Sequence, residues 1–486
     1  MEATNQKLNL TMLCDFYELT MGNGYFKCGY QDRITYFDVF FRTVPDGGGF
    51  AIAAGLEQIV RYIQDLHFSE DDIAYLRGRG IFCEEFLEYL REFRFTGDIW
   101  AVPEGTPIFP REPIVTVRAP AVQAQLIETY LLLAINHQSL IATKANRVVR
   151  AAKGRPVLEF GSRRAQGGDG AILGARAAFI GGCAGTACTI SDQLYGVHAG
   201  GTMAHSWVQM FDTQYDAFRA YCETYPENPV LLVDTYNTLK SGVPDAIRAF
   251  NDVLKPRGLT KCGIRLDSGD MTYLTKKARK MLDDAGWQSC EISVSNSLDE
   301  YIIRDLLAQG AQIDQFGVGE RLITARSEPV FGGVYKLTAV EDADGTIVPK
   351  IKISENVGKI TNPHFKKLYR FFGSDTGKAI ADYLCVHDET VDDSVDLEIF
   401  DPEATWKRKT VYNFTAKELL VPIFRHGELV YDLPPLAEIK RYCAEQVDTL
   451  WDEVKRFDNP HTYYVDLSSK LWQIKYDLLK NNSAGK

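Results

Sequence analysis

Two adjacent arginines follow a carboxylate and a glycine in Glu159-Phe-Gly-Ser-Arg-Arg-Ala-Gln166. Guanidinium forks bind carboxylates and phosphates bidentately. Gly161, Gly167, Gly168 and Gly170 would let the backbone approach such a ligand closely. The plain alternative is an ion pair between Glu159 and one arginine at a strand end. Gly201-Thr-Met-Ala-His-Ser206 sets His205 among small residues after the turn Gly200-Gly201. Such a histidine is open to a bulky phosphoryl group and can act as base, nucleophile or ligand. A packed or surface histidine is the alternative. In Lys261-Cys-Gly-Ile-Arg-Leu-Asp-Ser-Gly-Asp270, Arg265 and Asp267 flank Leu266 and share one face of a strand. One cation and one anion facing a cavity suit a substrate carrying both an anionic group and ribose hydroxyls, unless the two simply pair. Asp270 suits a helix N-cap. Ser295-Asn-Ser-Leu-Asp-Glu300 contains the capping-box spacing Ser297-x-x-Glu300, and a helix N-terminus is also an anion site. Phe316-Gly-Val-Gly319 is a second short glycine loop. Two successive strand ends of this kind resemble the phosphate cradle of a barrel.

These groups need a scaffold that brings strand ends together. Short apolar runs at Pro156–Phe160, Ala187–Ile190, Val230–Val233, Gly263–Leu266, Glu291–Val294 and Gln312–Phe316 read as strands. Helical patterns fill the gaps at Asp169–Ile180, Pro244–Leu254, Met271–Ala285 and Leu298–Ala308. The alternation predicts a parallel α/β structure, and this many units predict a barrel. The runs stop at or near Glu159, Asp192, Asp234, Asp267, Asn296 and Gly317. Ligands bind at the carboxyl ends of such strands, although caps and turns would explain many of these residues equally well. Upstream, Thr35–Val44 reads as a strand, and a helix is spaced by Ile52, Leu56, Ile59, Ile63 and Leu66. A long helix is predicted from Ala121 toward Ala152, broken near Asn136 or His137. After Val334 the rhythm fades: Tyr335–Val340 and Lys350–Ile353 read as paired strands, and Pro434–Leu479 reads as helical. The expected division is an N-terminal α/β domain over 1–150, completed by later segments, a barrel carrying the active site over 151–345, and a β/helical region over 346–486.

Composition narrows the class. The 486 residues carry 54 Lys plus Arg against 65 Asp plus Glu, a net charge of −11, which argues against a nucleic-acid or anionic-membrane partner. Ten scattered cysteines without C-x-x-C read as reduced thiols of a cytoplasmic protein, not as a zinc site. Residues 1–9 lack the apolar stretch of a signal peptide. Ala171–Ile190 contains Arg176 and reads as a tightly packed buried segment, not a membrane span. No G-x-G-x-x-G, G-x-S-x-G or H-E-x-x-H occurs. Gly373-Ser-Asp-Thr-Gly-Lys-Ala379 falls one residue short of a P-loop and ends in Ala.

Taken in order, Asp15-Phe-Tyr17 with Leu19-Thr-Met21, Ile141-Ala-Thr-Lys-Ala145, EFGSRRAQG (159–167), GTMAHS (201–206), GIRLDSGD (263–270), SNSLDE (295–300), GVG (317–319) and VYKL (334–337) resemble the nicotinate phosphoribosyltransferase family. The resemblance runs from about residue 8 to at least residue 370. It implies an irregular, incomplete α/β barrel packed on a split N-terminal α/β domain, with a C-terminal extension. It implies transfer of a phosphoribosyl group to nicotinate with release of pyrophosphate, coupled to ATP hydrolysis through a phosphorylated histidine at the position of His205. This would be the first step of NAD salvage from nicotinate. Tyr17, Thr202 and Arg265 match nicotinate-site positions, and Thr324 matches a position assigned to phosphoribosyl pyrophosphate. Arg163 and Asp267 follow from the related nicotinamide enzyme. With Glu159 and Asp267 beside His205 as catalytic groups, the phosphoribosyl cradle would be Ser295, Asn296, Gly317 and Gly319 with Arg164. Mg²⁺ on the phosphates, ATP as co-substrate and a homodimer with the active site at its interface complete the expectation. The rivals are the nicotinamide or quinolinate enzymes, a sugar-phosphate aldolase or isomerase using Lys144 or Lys261, and a sensor that has kept the fold.

Overall fold

The structure, a computed structural model, describes residues 9–355 and 359–483. The chain divides into two compact units, Ile141–Pro329 and the combination of Met1–Leu140 with Val330–Lys486.

The Ile141–Pro329 unit holds six strands: β1 (Val157–Glu159), β2 (Gly185–Thr186), β3 (Val230–Leu232), β4 (Gly263–Leu266), β5 (Glu291–Ser295) and β6 (Gln315–Val318). They form one row in the order β2-β1-β6-β5-β4-β3, and every pair is parallel. Val157, Leu231, Ile264, Leu266, Ile292, Val294, Phe316 and Val318 are buried. Near-continuous apolar runs of this sort belong to a sheet covered on both faces. Helices return the chain between strands, including Gly167–Ile180, Met271–Asp284 and Glu300–Ala308. All strand C-termini therefore lie at one end of the row, where connecting loops can carry a site.

Local chemistry sets the helix starts. Asp270 accepts the Tyr273 amide at 2.8 Å and caps Met271–Asp284 as expected. The capping box at Ser297 is not formed. Asp299 caps Glu300–Ala308 instead, accepting the amides of Tyr301 and Ile302. Glu300 is buried and held by Lys144 at 2.8 Å and Arg147 at 2.7 Å, so its carboxylate is not available to reach back to residue 297. Arg176 lies fully buried in Gly167–Ile180. Among the described residues no helix is long and apolar enough to cross a membrane.

The other unit is built on a seven-stranded sheet in the order Ile347–Pro349, Val334–Glu341, Ile34–Phe40, Val115–Pro120, Asp98–Ala101, Val421–Arg425 and Glu428–Leu429. A four-stranded sheet follows, in the order Phe414–Glu418, Lys366–Gly373, Ala379–Val386 and Val465–Leu467. Its core contains Phe371, Ile399 and Phe414. Beneath it the buried Arg370 makes a bidentate pair with Asp382 at 2.8 and 2.6 Å, and Tyr463 donates to the same carboxylate at 2.9 Å.

This sheet shows which later segments join the N-terminal strands. Val334–Glu341 pairs antiparallel with Ile34–Phe40, and Val421–Arg425 pairs with Asp98–Ala101. Residues 334–345 therefore belong with the N-terminal sheet, and 346–486 is not a separate third body. The long helix breaks at Ile127, between Ala121–Leu126 and Glu128–Ala151, not at 136–137. The Asn136 side chain instead accepts the Gly333 amide at 2.8 Å. The partner of Val334–Glu341 is Ile347–Pro349, ahead of the expected 350–353. The C-terminal stretch is two helices, Leu436–Thr449 and Ser469–Ser483, separated by a segment that includes Val465–Leu467.

Candidate active site

At the strand C-termini of the Ile141–Pro329 unit lies a cavity of about 790 Å³. The loop after β1 gives it Phe160, Ser162, Arg163 and Arg164; the loop before helix His205–Gln209 gives Thr202 and His205. β4 gives Arg265 and Asp267, the end of β5 gives Ser295 and Asn296, and β6 gives Gly317 and Gly319. A smaller space of about 220 Å³ shares Phe160, Thr202, Arg265 and Gly317 with it.

Arg265 and Asp267 do not pair with each other. Arg265 donates to the Thr202 hydroxyl at 2.6 Å, while its Nε–H is buried without a partner among the described residues. Burial holds the Arg265 pKa below its usual value, and neighbouring Arg163 pushes the same way against the opposing pull of Asp267 and Asp234. Arg163 and Arg164 make no salt bridge among the described residues either. An unpaired group of guanidinium forks in one concave site calls for an anionic ligand.

Asp267 accepts the Ser295 hydroxyl. Its backbone amide and the Ser268 hydroxyl donate to Asp234 at 2.8 and 2.7 Å. Asp234, just after β3, is buried and keeps one oxygen without a partner among the described residues. Three adjacent strand ends thus fix one carboxylate. His205 Nδ1 lies 3.0 Å from the Thr235 hydroxyl, so the ring is oriented by the residue next to Asp234.

Two glycines are dictated by Phe160. A Cβ on Gly317 would fall 2.6 Å from the Phe160 ring, and one on Gly319 would fall 2.9 Å from its carbonyl oxygen. Asn296 and Ser297 have φ of +98° and +45° at the rim, a conformation L-residues hold only when their surroundings enforce it.

Residues 12–136 match the nicotinate phosphoribosyltransferase (NAPRTase) N-terminal domain, and residues 365–475 match the nicotinate phosphoribosyltransferase C-terminal domain. The nicotinate phosphoribosyltransferase of Bacillus subtilis (strain 168) is 44% identical over 469 residues, covering 96% of this chain and 94% of the relative. The chain belongs to the nicotinate phosphoribosyltransferase family. A Mycobacterium tuberculosis nicotinate phosphoribosyltransferase is 39% identical, over 95% of this chain and 92% of its own. The crystal structure of human nicotinic acid phosphoribosyltransferase superposes with a TM-score of 0.84 at 29% identity, covering 96% and 99% of the two chains. Family membership extends through the C-terminal region, which the sequence motifs left open.

Within this nicotinate phosphoribosyltransferase fold, ten of the thirteen expected site residues line the one cavity: Arg163, Arg164, Thr202, His205, Arg265, Asp267, Ser295, Asn296, Gly317 and Gly319. Three do not. Glu159 is fully buried and accepts Thr186 Oγ at 2.7 Å and the Gly161 amide. Burial pushes its carboxyl pKa up. It closes the β1 turn and, among the described residues, makes no salt bridge with an arginine. Thr324 lies after the short helix Glu320–Ile323, and its hydroxyl donates to the Glu320 carbonyl at 2.7 Å. Tyr17 belongs to the other unit, at the start of helix Phe16–Lys27, and the residue is 44% exposed. Burial and the nearby Glu128 carboxylate raise its phenol pKa.

Phe160 and Glu320 line the cavity without having been singled out. Phe160 was legible as the bulky residue between Glu159 and an obligatory glycine. The aldolase or isomerase reading loses its lysine: no lysine lines the cavity among the described residues, Lys144 is buried against Glu300, and Lys261 is exposed.

Proposed function

We propose that this family member joins nicotinate to the ribose of phosphoribosyl pyrophosphate, forming nicotinate mononucleotide and pyrophosphate, and couples the reaction to ATP hydrolysis through His205. The observation that carries the reading is the set of guanidinium groups without a salt bridge among the described residues, Arg163, Arg164 and Arg265, facing one cavity with Asp267. Arg265, tethered by Thr202, would hold the nicotinate carboxylate, and Phe160 offers a ring face for the pyridine. Arg164 and the Ser295–Asn296 and Gly317–Gly319 turns would hold the phosphates.

The C1–oxygen bond to pyrophosphate breaks, the ribose becomes cationic, and the pyridine nitrogen supplies its electron pair to C1. No protein nucleophile is needed, so orientation and charge placement do the catalysis. Asp267, fixed by Ser295 and Asp234, sets a negative charge beside the ribose. In the coupled half, a His205 nitrogen attacks the γ-phosphorus of ATP and ADP leaves. Water later cleaves the N–P bond, releasing phosphate. Phosphorylation adds charge beside the phosphate-binding turns and so changes their affinity for a polyanion.

Mg²⁺ would supply charge neutralisation on pyrophosphate. Among the described residues no group of three or more His, Cys, Asp or Glu is arranged to hold a metal. The Asp267 carboxylate, which lines the cavity, suits the usual sharing of Mg²⁺ between one or two carboxylates and substrate phosphates. The free thiols support a cytoplasmic location. The exposed apolar face of Leu13, Phe16, Tyr17 and Met21 supports a homodimer whose interface completes the site.

A product assay tests the reading: nicotinate or nicotinamide with phosphoribosyl pyrophosphate and Mg²⁺, with and without ATP. Nicotinate mononucleotide made faster with ATP, with matching ADP release, is expected. Turnover of nicotinamide alone would transfer the assignment to the sister reaction. Thr235→Val should cut ATP hydrolysis about tenfold, the upper range of one hydrogen bond, with the KM for nicotinate unchanged. Equal hydrolysis would remove Thr235 from the positioning of His205.

A further inference from the structure

In the unit formed by Met1–Leu140 and Val330–Lys486, a cleft of about 230 Å³ lies between the seven-stranded sheet and the start of Lys366–Gly373. Three ring systems wall it. Trp100 and Phe365 have centroids 5.0 Å apart, and His387 stacks on Phe365 at 5.0 Å and 24°. The Arg425 guanidinium lies 4.3 Å from the Trp100 ring centre. It makes no side-chain hydrogen bond or salt bridge among the described residues.

The other cations of the cleft are engaged. Lys366 pairs with Asp38 at 2.8 Å, and Lys367 donates to the Glu389 carbonyl at 3.0 Å. His387 adds an unmet group: its Nδ1 is buried and has no partner among the described residues. Burial holds this imidazole's pKa below the usual histidine value, so the ring is neutral near pH 7. Glu418 also lines the cleft, and its charge disfavours a polyanion.

We propose that this cleft is a second, non-catalytic site that binds a small planar aromatic carboxylate, its ring against the Trp100, Phe365 and His387 side chains that wall the cleft and its carboxylate on the free fork of Arg425. A flat ring covers apolar wall of the cleft that an inorganic anion would leave against water. A guanidinium already stacked on an indole is oriented to take a carboxylate edge-on. One free fork beside one acidic residue selects a monoanion.

The test is equilibrium dialysis of the full chain with radiolabelled nicotinate and, separately, benzoate. The wild type is expected to show two classes of nicotinate site. Arg425→Gln should weaken one at least tenfold without changing transferase turnover, and Arg265→Gln should remove the other. Arg425→Lys, which keeps the charge and loses the fork, guards against a folding defect and should weaken the same site. Neutral nicotinamide should not compete there. Unchanged stoichiometry in Arg425→Gln overturns the proposal, as does complete displacement by inorganic phosphate at equal ionic strength. The proposal does not rest on the transferase reading. An Arg425-dependent site without an Arg265-dependent one would sustain the cleft and sink that reading.

Discussion

Replacing Arg265 by glutamine is expected to lower kcat/KM for nicotinate about a thousandfold, while nicotinamide turnover changes by less than tenfold. Removing one member of a buried, hydrogen-bonded charge pair costs about 2–5 kcal/mol, and about 4 kcal/mol is three decades in rate. The size follows from the surroundings. Arg265 is half-buried, donates once to Thr202 and keeps a buried Nε–H with no partner among the described residues. A substrate carboxylate would satisfy that donor, and uncharged nicotinamide would satisfy it less well. The glutamine side chain keeps some bulk and a donor, so Thr202 need not collapse. Steady-state kinetics with both pyridines decides the matter. Equal losses for both would show that Arg265 supports phosphoribosyl binding or the loop itself, and the carboxylate assignment would fail.

That Arg265 can be singled out at all shows which signals a sequence carries. A strand residue two positions from an aspartate, with Leu266 between them, announces its face by periodicity, and the structure places both at the cavity. The strand ends were legible for the same reason: apolar runs stop where the backbone leaves the buried sheet. Burial of a particular carboxylate was not legible. Glu159 and Asp267 both follow apolar runs, yet one is closed off by Thr186 and the Gly161 amide while the other faces the cavity. Only the packing of β1 beside β2 separates them. Ser297 failed as a cap because the Glu300 carboxylate is held by Lys144 and Arg147, more than 150 positions upstream, a partnership no local motif displays. Asp234 was visible as a strand end, but its part in holding Asp267 depends on register between β3 and β4. Which later segments complete the N-terminal domain was equally hidden: nothing local to 334–341 or 421–425 says that these strands complete a sheet begun at residue 34.

His205→Ala is expected to reduce ATP hydrolysis at least about a thousandfold while slow, ATP-independent formation of nicotinate mononucleotide persists. Loss of a nucleophile removes the chemical step itself, and such losses are among the largest measured for single substitutions. The geometry separates the two half-reactions. Asp267 is fixed by Ser295 and Asp234, and Arg265 by Thr202, none of which needs the imidazole. The imidazole in turn is held by Thr235, adjacent to Asp234, so the two halves meet in one dipeptide at the end of β3. That adjacency gives the coupling a physical route: charge added at His205 bears on the same loop that holds the Asp267 amide. Two measurements separate the outcomes. Labelling with γ-³²P-ATP should give an acid-labile phosphoprotein in the wild type and none in His205→Ala, and ADP release should fall in parallel. If ADP release were unchanged, His205 would not be the phosphoryl acceptor, although the transferase site built on Arg265 and Asp267 would stand. If transfer without ATP vanished as well, His205 would belong to the transferase chemistry itself, and the separation of the two halves would be wrong.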